Sequence, residues 1–470
     1  MPAAENIKKL FVLMLENRSY DNLFGWSDLR GWTPDGTATQ ADGLVGKPPF
    51  SNVGANGVAY AAGQGAPFRL AFDPGHEFSD ALVQRSRPSD SRAFATCVRD
   101  DSAVLANGVY PACAASANDL GFARDMEAHG YDAASAMRCF TPDQLPVLNF
   151  LAQQFAVCDR WFSSVPGPTW PNRFFALAGT SWGLDHSPSE LSSIEASLFE
   201  AAKYGNGRDD SLLTRLAPQQ WLVAYGDIPQ SWAIKGADAH PTRFVKHEDF
   251  FSALASGNVD AGFVFIEPHY DPVGNFENGE SMHPCGDVRV GEALVERVYN
   301  AILASPYWEQ SLLLIVFDEH GGFFDHVIPD AAHATGMPTL APIEPTALTK
   351  RGFHFDRFGF RVPALVVSPY VKQATIDHAF YDHASIAKTL ARIMPPAPPG
   401  SAPLLATPRF AGAADFLSIL TLSAPRKAAD IHPCPHALPA AAQPAFTKVG
   451  SSAAAFRALG WPGPIGGAAA

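Results

Sequence analysis

The sequence has no pair of cysteines spaced as Cys-x-x-Cys, and among its 470 residues only six are cysteine. They stand at Cys97, Cys113, Cys139, Cys158, Cys285 and Cys434. This spacing offers neither a zinc knuckle nor a thioredoxin-like redox motif. An even number allows up to three disulfides in an exported protein, with Cys97–Cys113 as the most plausible local bridge, and equally allows six reduced thiols.

A long apolar segment near the start is also missing. The run "LFVLML" (10–15) lies between Lys8-Lys9 and Glu16, and it is too short for the core of a signal peptide or for a membrane span. We therefore expect a chain with no signal peptide and no transmembrane segment, which by sequence alone would be cytoplasmic.

An excess of basic residues is absent as well. The 34 Lys and Arg residues against 47 Asp and Glu residues give a net charge of −13, which argues against nucleic acid as the main partner. The composition, 47% hydrophobic and 17% charged, is that of a globular protein. A chain of this length can bury a large core, either as two or three domains or as one large domain with long insertions.

Solid apolar runs alternate with segments of helical periodicity, the runs at 9–15, 262–268, 311–322 and 360–371 and the helical segments at 142–155, 287–306 and 382–394. This alternation predicts an α/β fold with a doubly wound, mostly parallel sheet and helices on both faces. We expect one main domain over residues 1–415, with an insertion-rich region at 31–140. An irregular Ala- and Pro-rich extension is predicted over 416–470.

Side chains with oxygen ligands follow two of the apolar runs. Glu16 and Asn17 end the first run, and Asp318 and Glu319 follow "LLLIVF". Each pair alone is better explained as a solvated turn. However, parallel sheets bind ligands beyond the carboxyl ends of their strands, and three converging carboxylates need a cation. The sequence therefore predicts one divalent metal ion, for which calcium, magnesium, manganese and zinc all stay open.

A hydroxyl group stands just before a predicted helix in "SSVPGPTWPNRFFALAGTS" (163–181). Thr169 there could bind the metal and lose its proton more easily, while the first amides of the helix receive a phosphate. The alternative is that Thr169 is only a helix N-cap ahead of Pro171.

Several blocks of the sequence carry a resemblance to a known family: "LMLENRSYDNLFG", "PGPTWPNRFFALAGT", "SMHPCGDVRVGEALVERVYNAILASPYWEQSLLLIVFDEHGGFFDHVIP", "FGFRVPALVVSPYV" and "YDHASIAKTL". Together they resemble the bacterial phospholipase C and acid phosphatase family of phosphoesterases, which is similar in fold to the alkaline phosphatase superfamily. The blocks occur in the expected order between about residues 8 and 394.

The resemblance implies one divalent cation held by the positions that match Glu16, Asn17, Asp318 and Glu319. It also implies that the hydroxyl of Thr169 is the nucleophile and the fifth ligand. A threonine at this position fits the phospholipase C branch, because the phosphatase branch has serine.

Histidines near the phosphate are implied too, and His76 and His283 match the motif positions best. Either could bind the phosphoryl oxygens or protonate the leaving alkoxide. Further candidates lie in the same blocks. His320 and His326 either orient the metal ligands or have a structural role. His320, Trp170, Tyr270 and Tyr381 are candidates for contact with the substrate. Asp382, in a block with His383, is expected to cap a helix.

The resemblance thus implies a metal-dependent phosphoesterase catalytic domain that cleaves phosphocholine-containing diesters, with a phospholipid or phosphocholine ester as substrate. A phosphomonoesterase is the first alternative. The second alternative is a non-catalytic binding protein on the same scaffold, in which we would expect one or more of the metal ligands to be replaced. The sequence departs from the family pattern in two places. The long phospholipases of the family carry additional C-terminal β-rich domains, and many members begin with a twin-arginine export signal; we expect neither here. Oligomeric state stays open.

Overall fold

The computed structural model describes residues 4–86, 114–187, 204–205, 210–330, 332, 334–394 and 402–439. The strands in this part of the chain are β1 (Lys9–Leu15), β2 (Arg30–Trp32), β3 (Ala38–Gln40), β4 (Ser51–Val53), β5 (Ala59–Ala61), β6 (Gly63–Gln64), β7 (Arg138–Cys139), β8 (Ala156–Cys158), β9 (Trp221–Tyr225), β10 (Phe244–Lys246), β11 (Phe263–Glu267), β12 (Ser311–Phe317), β13 (Ala364–Val367) and β14 (Thr375–Asp377).

The α-helices of the described residues are α1 (Tyr20–Phe24), α2 (Phe78–Arg85), α3 (Phe122–Ala128), α4 (Pro146–Gln154), α5 (Thr169–Ala178), α6 (Leu212–Arg215), α7 (His247–Ala255), α8 (Val288–Ala304), α9 (Ala384–Ile393) and α10 (Pro408–Gly412). Short 3₁₀ turns join several of them. The longest, α8, begins at the predicted N-cap Asp287, whose carboxylate accepts a hydrogen bond from the backbone N–H of Arg289 at 3.0 Å.

Ten strands form one sheet in the order β10-β9-β11-β1-β12-β13-β8-β14-β2-β3. Most neighbours are parallel, but β13 runs antiparallel to both β12 and β8, and β3 runs antiparallel to β2. Helix α8 packs against α4 and α7, whereas α9 packs against α5 and α10. The predicted α/β fold with a mostly parallel sheet is confirmed.

The centre of the sheet brings the two candidate strand ends together. Every residue of β1 and of β12 is buried, as their unbroken apolar runs require of strands covered on both faces. The two strands are parallel and in register from Lys9 opposite Ser311 to Leu15 opposite Phe317. The residues that follow, Glu16 and Asp318, therefore leave the sheet side by side.

Three regions differ in detail from the sequence prediction. The predicted strand at 360–371 is shorter, because β13 is bounded by prolines at 363 and 369, which cannot donate to a sheet ladder. The loop-rich stretch at 31–75 supplies β2 and β3 to the edge of the main sheet. The extension expected to begin at residue 416 starts inside the main core, where Phe416 packs on Trp161 with ring centroids 5.6 Å apart.

Cys97 and Cys113 lie outside the described residues, while Cys139, Cys158, Cys285 and Cys434 are free thiols. Within the described ranges, the structure contains no helix that is both long and apolar enough to cross a membrane.

Candidate active site

The ends of β1 and β12 are joined by short hydrogen bonds. The carboxylate Oδ1 of Asp318 accepts from the backbone N–H of Asn17 at 3.0 Å and from that of Glu319 at 2.7 Å. Asn17 has a left-handed backbone, with φ of 57°, a conformation that asparagine tolerates. Gly321, in the turn after β12, allows that turn to pass close to Asn17, because a Cβ at residue 321 would lie 2.0 Å from the Asn17 carbonyl oxygen.

Thr169 opens helix α5 directly against this junction. Its hydroxyl donates to Asn17 Oδ1 at 3.2 Å, and the residue is 7% exposed. Thr169 is the first helical residue, and Pro168 occupies the N-cap position. The alternative that Thr169 serves only as an N-cap is therefore wrong, since its side chain faces Asn17 and does not cap its own helix.

The loop before α5 is held by a single amide side chain. Asn172 accepts a hydrogen bond from the backbone N–H of Val165 at 3.0 Å, and its Nδ2 donates to the carbonyls of Gly167 at 2.9 Å and Pro168 at 3.1 Å. The loop is thus wrapped around the first turn of its own helix. This contact fixes where Thr169 lies relative to the strand ends.

Arg173, one turn after Thr169, lies behind the strand ends. Its Nε donates to Asp318 Oδ2 at 3.1 Å, and its Nη2 lies 3.9 Å from Glu16 Oε1. Its Nη1 donates to the hydroxyl of Tyr270 at 2.6 Å. The guanidinium is almost fully buried, so it supplies one positive charge to a cluster with three buried carboxyl groups.

The carboxylates retain unused ligand atoms. Glu16 Oε2 and Glu319 Oε1 are buried and have no hydrogen-bond partner among the described residues. Burial raises the pKa of Glu16 to about 7 against the opposing effect of Arg173, and burial also raises the pKa of Asp318. Unpartnered carboxylate oxygens beside an amide and a hydroxyl oxygen are a donor set that fits a hard divalent cation.

Two histidines approach the same site and share one carboxylate. His76 Nε2 lies 3.4 Å from Asn17 Nδ2, and Asp73 Oδ1 lies 3.7 Å from His76 Nδ1 and 3.5 Å from His283 Nε2. Burial lowers the pKa of each imidazole, but Asp73 and the neighbouring glutamates outweigh it and raise both to about 10. Both rings are therefore cationic at neutral pH. The structure brings His76 and His283 together at the edge of the site.

The other predicted substrate contacts are buried within the protein. Tyr270 donates to Glu267 Oε2 at 2.9 Å besides accepting from Arg173, and Trp170 packs edge-on against Phe174. Tyr381 is also buried, and its hydroxyl donates to Asp377 at 2.8 Å.

His320 is fully buried, and its ring links two polar groups. Its Nε2 lies 2.5 Å from Gln84 Oε1, and its Nδ1 lies 3.3 Å from Glu319 Oε2. The ring packs near the aromatic side chains of Phe122 and Phe360. These contacts direct the imidazole toward Glu319.

His326 belongs to a separate buried ion network. Its Nδ1 lies 2.6 Å from Asp21 Oδ2, while Arg361 donates to Asp21 at 3.2 Å and to Asp325 at 2.9 Å. Of the roles left open for His326, these contacts fit the structural one.

Asp382 does not cap the helix that follows it. Helix α9 begins after His383, and the Asp382 carboxylate instead accepts from the Ser164 hydroxyl and from Arg409 Nη1, each at 2.9 Å. It ties the loop before α5 to the C-terminal part of the chain. The capping prediction was wrong because Arg409 outcompetes the local helix amides for the carboxylate.

Arg173 and His383 support the site but were not singled out by the sequence motifs. His383 accepts from Trp161 Nε1–H at 3.2 Å, so its Nε2–H donates to the backbone carbonyl of Asp318 at 2.6 Å. For Arg173 a signal exists, because a residue four positions after Thr169 lies on the same helix face. For His383 the partner is 65 residues away in the chain, and no local pattern reveals it.

Further groups of side chains could hold a metal ion: Asp73 with His283 and Cys285, Asp21 with Asp325 and His326, and Asp80 with Asp125 and His129. Besides the strand ends, the described residues therefore include three groups of side chains that are close enough together to ligate a metal ion.

Comparison with known proteins identifies the family of this chain. The model of the Phosphoesterase family matches residues 7–394. The chain is 30% identical to non-specific phospholipase C3 of Arabidopsis thaliana over 83% of this chain and 70% of that protein. It is 27% identical to phospholipase C B of Mycobacterium tuberculosis, over 84% and 74% of the two chains.

A solved structure of an alkaline phosphatase superfamily protein from Vibrio parahaemolyticus aligns with a TM-score of 0.31 and 14% identity, over 54% of this chain and 61% of that one. The family match extends from β1 through α9 and so includes both strand ends, the Thr169 helix and the two histidines. The chain belongs to the Phosphoesterase family and is a hydrolase that acts on phosphoric esters.

Proposed function

We propose that the protein is a metal-dependent phosphodiesterase of the phospholipase C type, with Thr169 as its nucleophile. The observation that carries this proposal is the hydrogen bond from the Thr169 hydroxyl to Asn17 at the joined ends of β1 and β12. The relatives named phospholipase C support a phosphocholine-containing phospholipid or related diester as the substrate class.

Glu16, Asn17, Asp318, Glu319 and the Thr169 hydroxyl would hold one divalent ion. The fit rests on the unpartnered oxygens of Glu16 and Glu319 and on the absence of nitrogen ligands from this set. A bound divalent ion would supply positive charge that favours the deprotonated hydroxyl and offsets the charge of the phosphoryl group. Calcium, magnesium, manganese and zinc all stay open.

Thr169 Oγ would attack phosphorus in line with the leaving oxygen. The P–Oγ bond forms, the bond to the leaving alkoxide breaks, and the hydroxyl proton passes to solvent. His76 or His283 would donate a proton to the leaving alkoxide, which departs as an alcohol. The intermediate is a diester between Thr169 and the remaining substrate alcohol. Water then cleaves its bond to Thr169 Oγ, which releases the phosphate monoester and restores the hydroxyl.

The protein scaffold would do the positioning. The first turn of α5 directs backbone N–H groups and the positive end of the helix dipole toward an anion beside Thr169. Asn172 fixes the loop before the helix, and Arg173 holds Asp318 from behind. Each of these contacts exists without substrate, so little reorganisation would accompany binding.

The test compares the hydrolysis of a chromogenic phosphocholine diester with that of a chromogenic phosphate monoester. We expect the diester to be preferred, Thr169→Ala to lose nearly all turnover, and Thr169→Ser to keep measurable turnover. Thr180→Ala is the matched control, because Thr180 lies just beyond the other end of α5 and its hydroxyl only accepts from the backbone of Trp182.

Acid quenching during turnover of the phosphocholine diester, followed by mass spectrometry, should detect a phosphocholine group esterified to Thr169. Wild-type turnover in Thr169→Ala would refute the covalent route, and a preference for the monoester would refute the phospholipase C-type specificity.

A further inference from the structure

A second cluster of metal-ligand side chains lies next to the His76 loop. Asp80 on α2 and Asp125 on α3 are buried, and His129, just after α3, is partly exposed. His129 Nε2 lies 3.2 Å from Asp80 Oδ1 and 4.0 Å from Asp125 Oδ1. Ligand atoms about 2.1 Å from a common ion lie roughly 3 to 3.5 Å apart, so this cluster is close to the spacing of a coordination shell.

In Asp80 and in Asp125, one carboxylate oxygen accepts a hydrogen bond and the other faces His129. Asp80 Oδ2 accepts from the backbone N–H of Glu77 at 2.8 Å, and Asp125 Oδ2 accepts from Gln84 Nε2 at 2.7 Å. Asp125 Oδ1 is buried and has no hydrogen-bond partner in the described part of the chain. The side chain of Asp125 is only 3% exposed, so bulk water does not solvate this oxygen.

A glycine leaves room at the point where the three side chains converge. A Cβ on Gly75 would lie 2.5 Å from His129 Nε2, 2.8 Å from Asp80 Cγ and 2.9 Å from Asp125 Oδ2. Any larger residue would therefore fill the space between the three side chains. The His129 side chain is 24% exposed, so the cluster lies near the protein surface.

The cluster differs from the group of Asp21, Asp325 and His326, because in the described part of the chain no arginine pairs with its carboxylates. There, Arg361 lies between two aspartates and a histidine and neutralises them. Here, among the described residues, His129 is the only basic side chain within 4.0 Å of either carboxylate. The charge of His76 lowers the pKa of Asp125 but does not offset its burial. Burial and the charge of Asp80 raise the pKa of Asp125 well above its usual range, so the cluster takes up either a proton or a cation.

We propose that Asp80, Asp125 and His129 bind a second divalent cation, separate from the one at Thr169. Two carboxylates and one imidazole suit a transition-metal dication such as Mn²⁺ or Zn²⁺ better than Ca²⁺, which prefers an all-oxygen shell. The ion is structural: it joins α2, α3 and the backbone of Gly75. Waters complete its coordination from the side of His129.

The location gives this ion a route to the catalytic groups. Gly75 precedes His76 in the chain, and Gln84 connects Asp125 to the ring of His320, whose other nitrogen faces Glu319. Fixing the cluster therefore fixes the loop that carries His76 and, through Gln84, the ring of His320 beside Glu319.

The experiment counts bound Mn²⁺ by titrating the metal-free protein and following free Mn²⁺ by electron paramagnetic resonance. Asp125→Asn should bind one equivalent fewer than the wild type. This variant should still fold, because its amide oxygen can accept from Gln84 while its NH₂ donates to Asp80. His129→Gln, at a partly exposed position, should also lose one equivalent, and Asp143→Asn, an exposed carboxylate, should lose none.

A Glu319→Gln background separates this proposal from the proposed function. Adding Asp125→Asn to it should remove one further equivalent, whether or not the catalytic ion is retained. The proposal is overturned if Asp125→Asn and His129→Gln bind as much Mn²⁺ as the wild type, in which case a shared proton satisfies the two carboxyl groups. If Asp125→Asn does not fold, the loss or retention of one equivalent in His129→Gln decides.

Discussion

Arg173 provides the sharpest test of how the strand ends are held together. The Arg173 side chain is 3% exposed; it pairs with Asp318 at 3.1 Å and lies 3.9 Å from Glu16. The side chains of Asp318 and Glu16 are 0% and 2% exposed, respectively. Arg173→Met keeps most of the apolar stem but removes the charge. Two buried carboxyl groups then face each other without the guanidinium that paired with them.

Removing one partner of a buried ion pair costs about 3–5 kcal/mol, because the remaining charge stays desolvated. We expect Arg173→Met to lower the free energy of unfolding of the metal-free protein by about that amount. The matched control is Arg30→Met. Arg30 forms an ion pair with Asp28 at 3.0 Å, but the two side chains are 65% and 47% exposed, so the loss should be about 1 kcal/mol or less.

The assay is urea unfolding followed by tryptophan fluorescence in the presence of a chelator, with the midpoints of the three proteins compared. A saturating divalent cation should recover part of the loss in Arg173→Met, because it replaces the missing positive charge, and should recover none in Arg30→Met. Equal midpoints for the two variants in chelator would refute the reasoning, since the buried pair would then contribute no more than the exposed one.

The remaining predictions concern the metal, the histidines and one buried carboxyl group. Chelation should abolish turnover, and Glu16→Gln or Asp318→Asn should weaken metal retention measured by elemental analysis; full activity of stripped protein would contradict this. His76→Ala or His283→Ala should each slow turnover by about 10²–10⁴-fold, because a proton donor to the leaving group is lost, and unchanged kinetics for both would assign them structural roles. Burial raises the pKa of Glu292 from its ordinary value of 4.5 to about 8, although its carboxylate accepts from backbone N–H groups at the start of α4. Its neutral form therefore favours the fold below pH 4.5, and this contribution is lost as the pH rises through 8. Glu292→Gln should flatten the fall in urea midpoint between pH 5 and pH 8, and a parallel fall in both proteins would disprove the assignment.

The strand ends could be predicted from the sequence because two unbroken apolar runs each stop at a pair of residues with oxygen ligands. Glu16 and Asp318 follow runs that only a doubly covered strand tolerates, and parallel register then places them together. An apolar run carries no direction, however, so the antiparallel course of β13 could not be predicted. Three-residue strands such as β2 have too few residues for any periodic signal.

The supporting contacts were harder to predict because they join distant parts of the chain. Asp382 is paired with Arg409, which is 27 residues away in the chain, and His383 supports the backbone of Asp318. For Asp382 the local motif suggested a helix cap, and for His383 it suggested no role. The long-range partner decided otherwise, since a buried ionic hydrogen bond outweighs a helix cap.

The reversed direction of β13 has a consequence for how this enzyme could change its selectivity. Because β12 and β13 are antiparallel neighbours, the chain leaves the sheet after residue 317 and returns before residue 364 at the same end of these two strands. The excursion at 318–363 therefore begins and ends on the side where the acids and the nucleophile meet. Its middle part can lengthen, shorten or be exchanged with that of a relative while both anchoring strands keep their register. Loop grafting between members of the family should begin there.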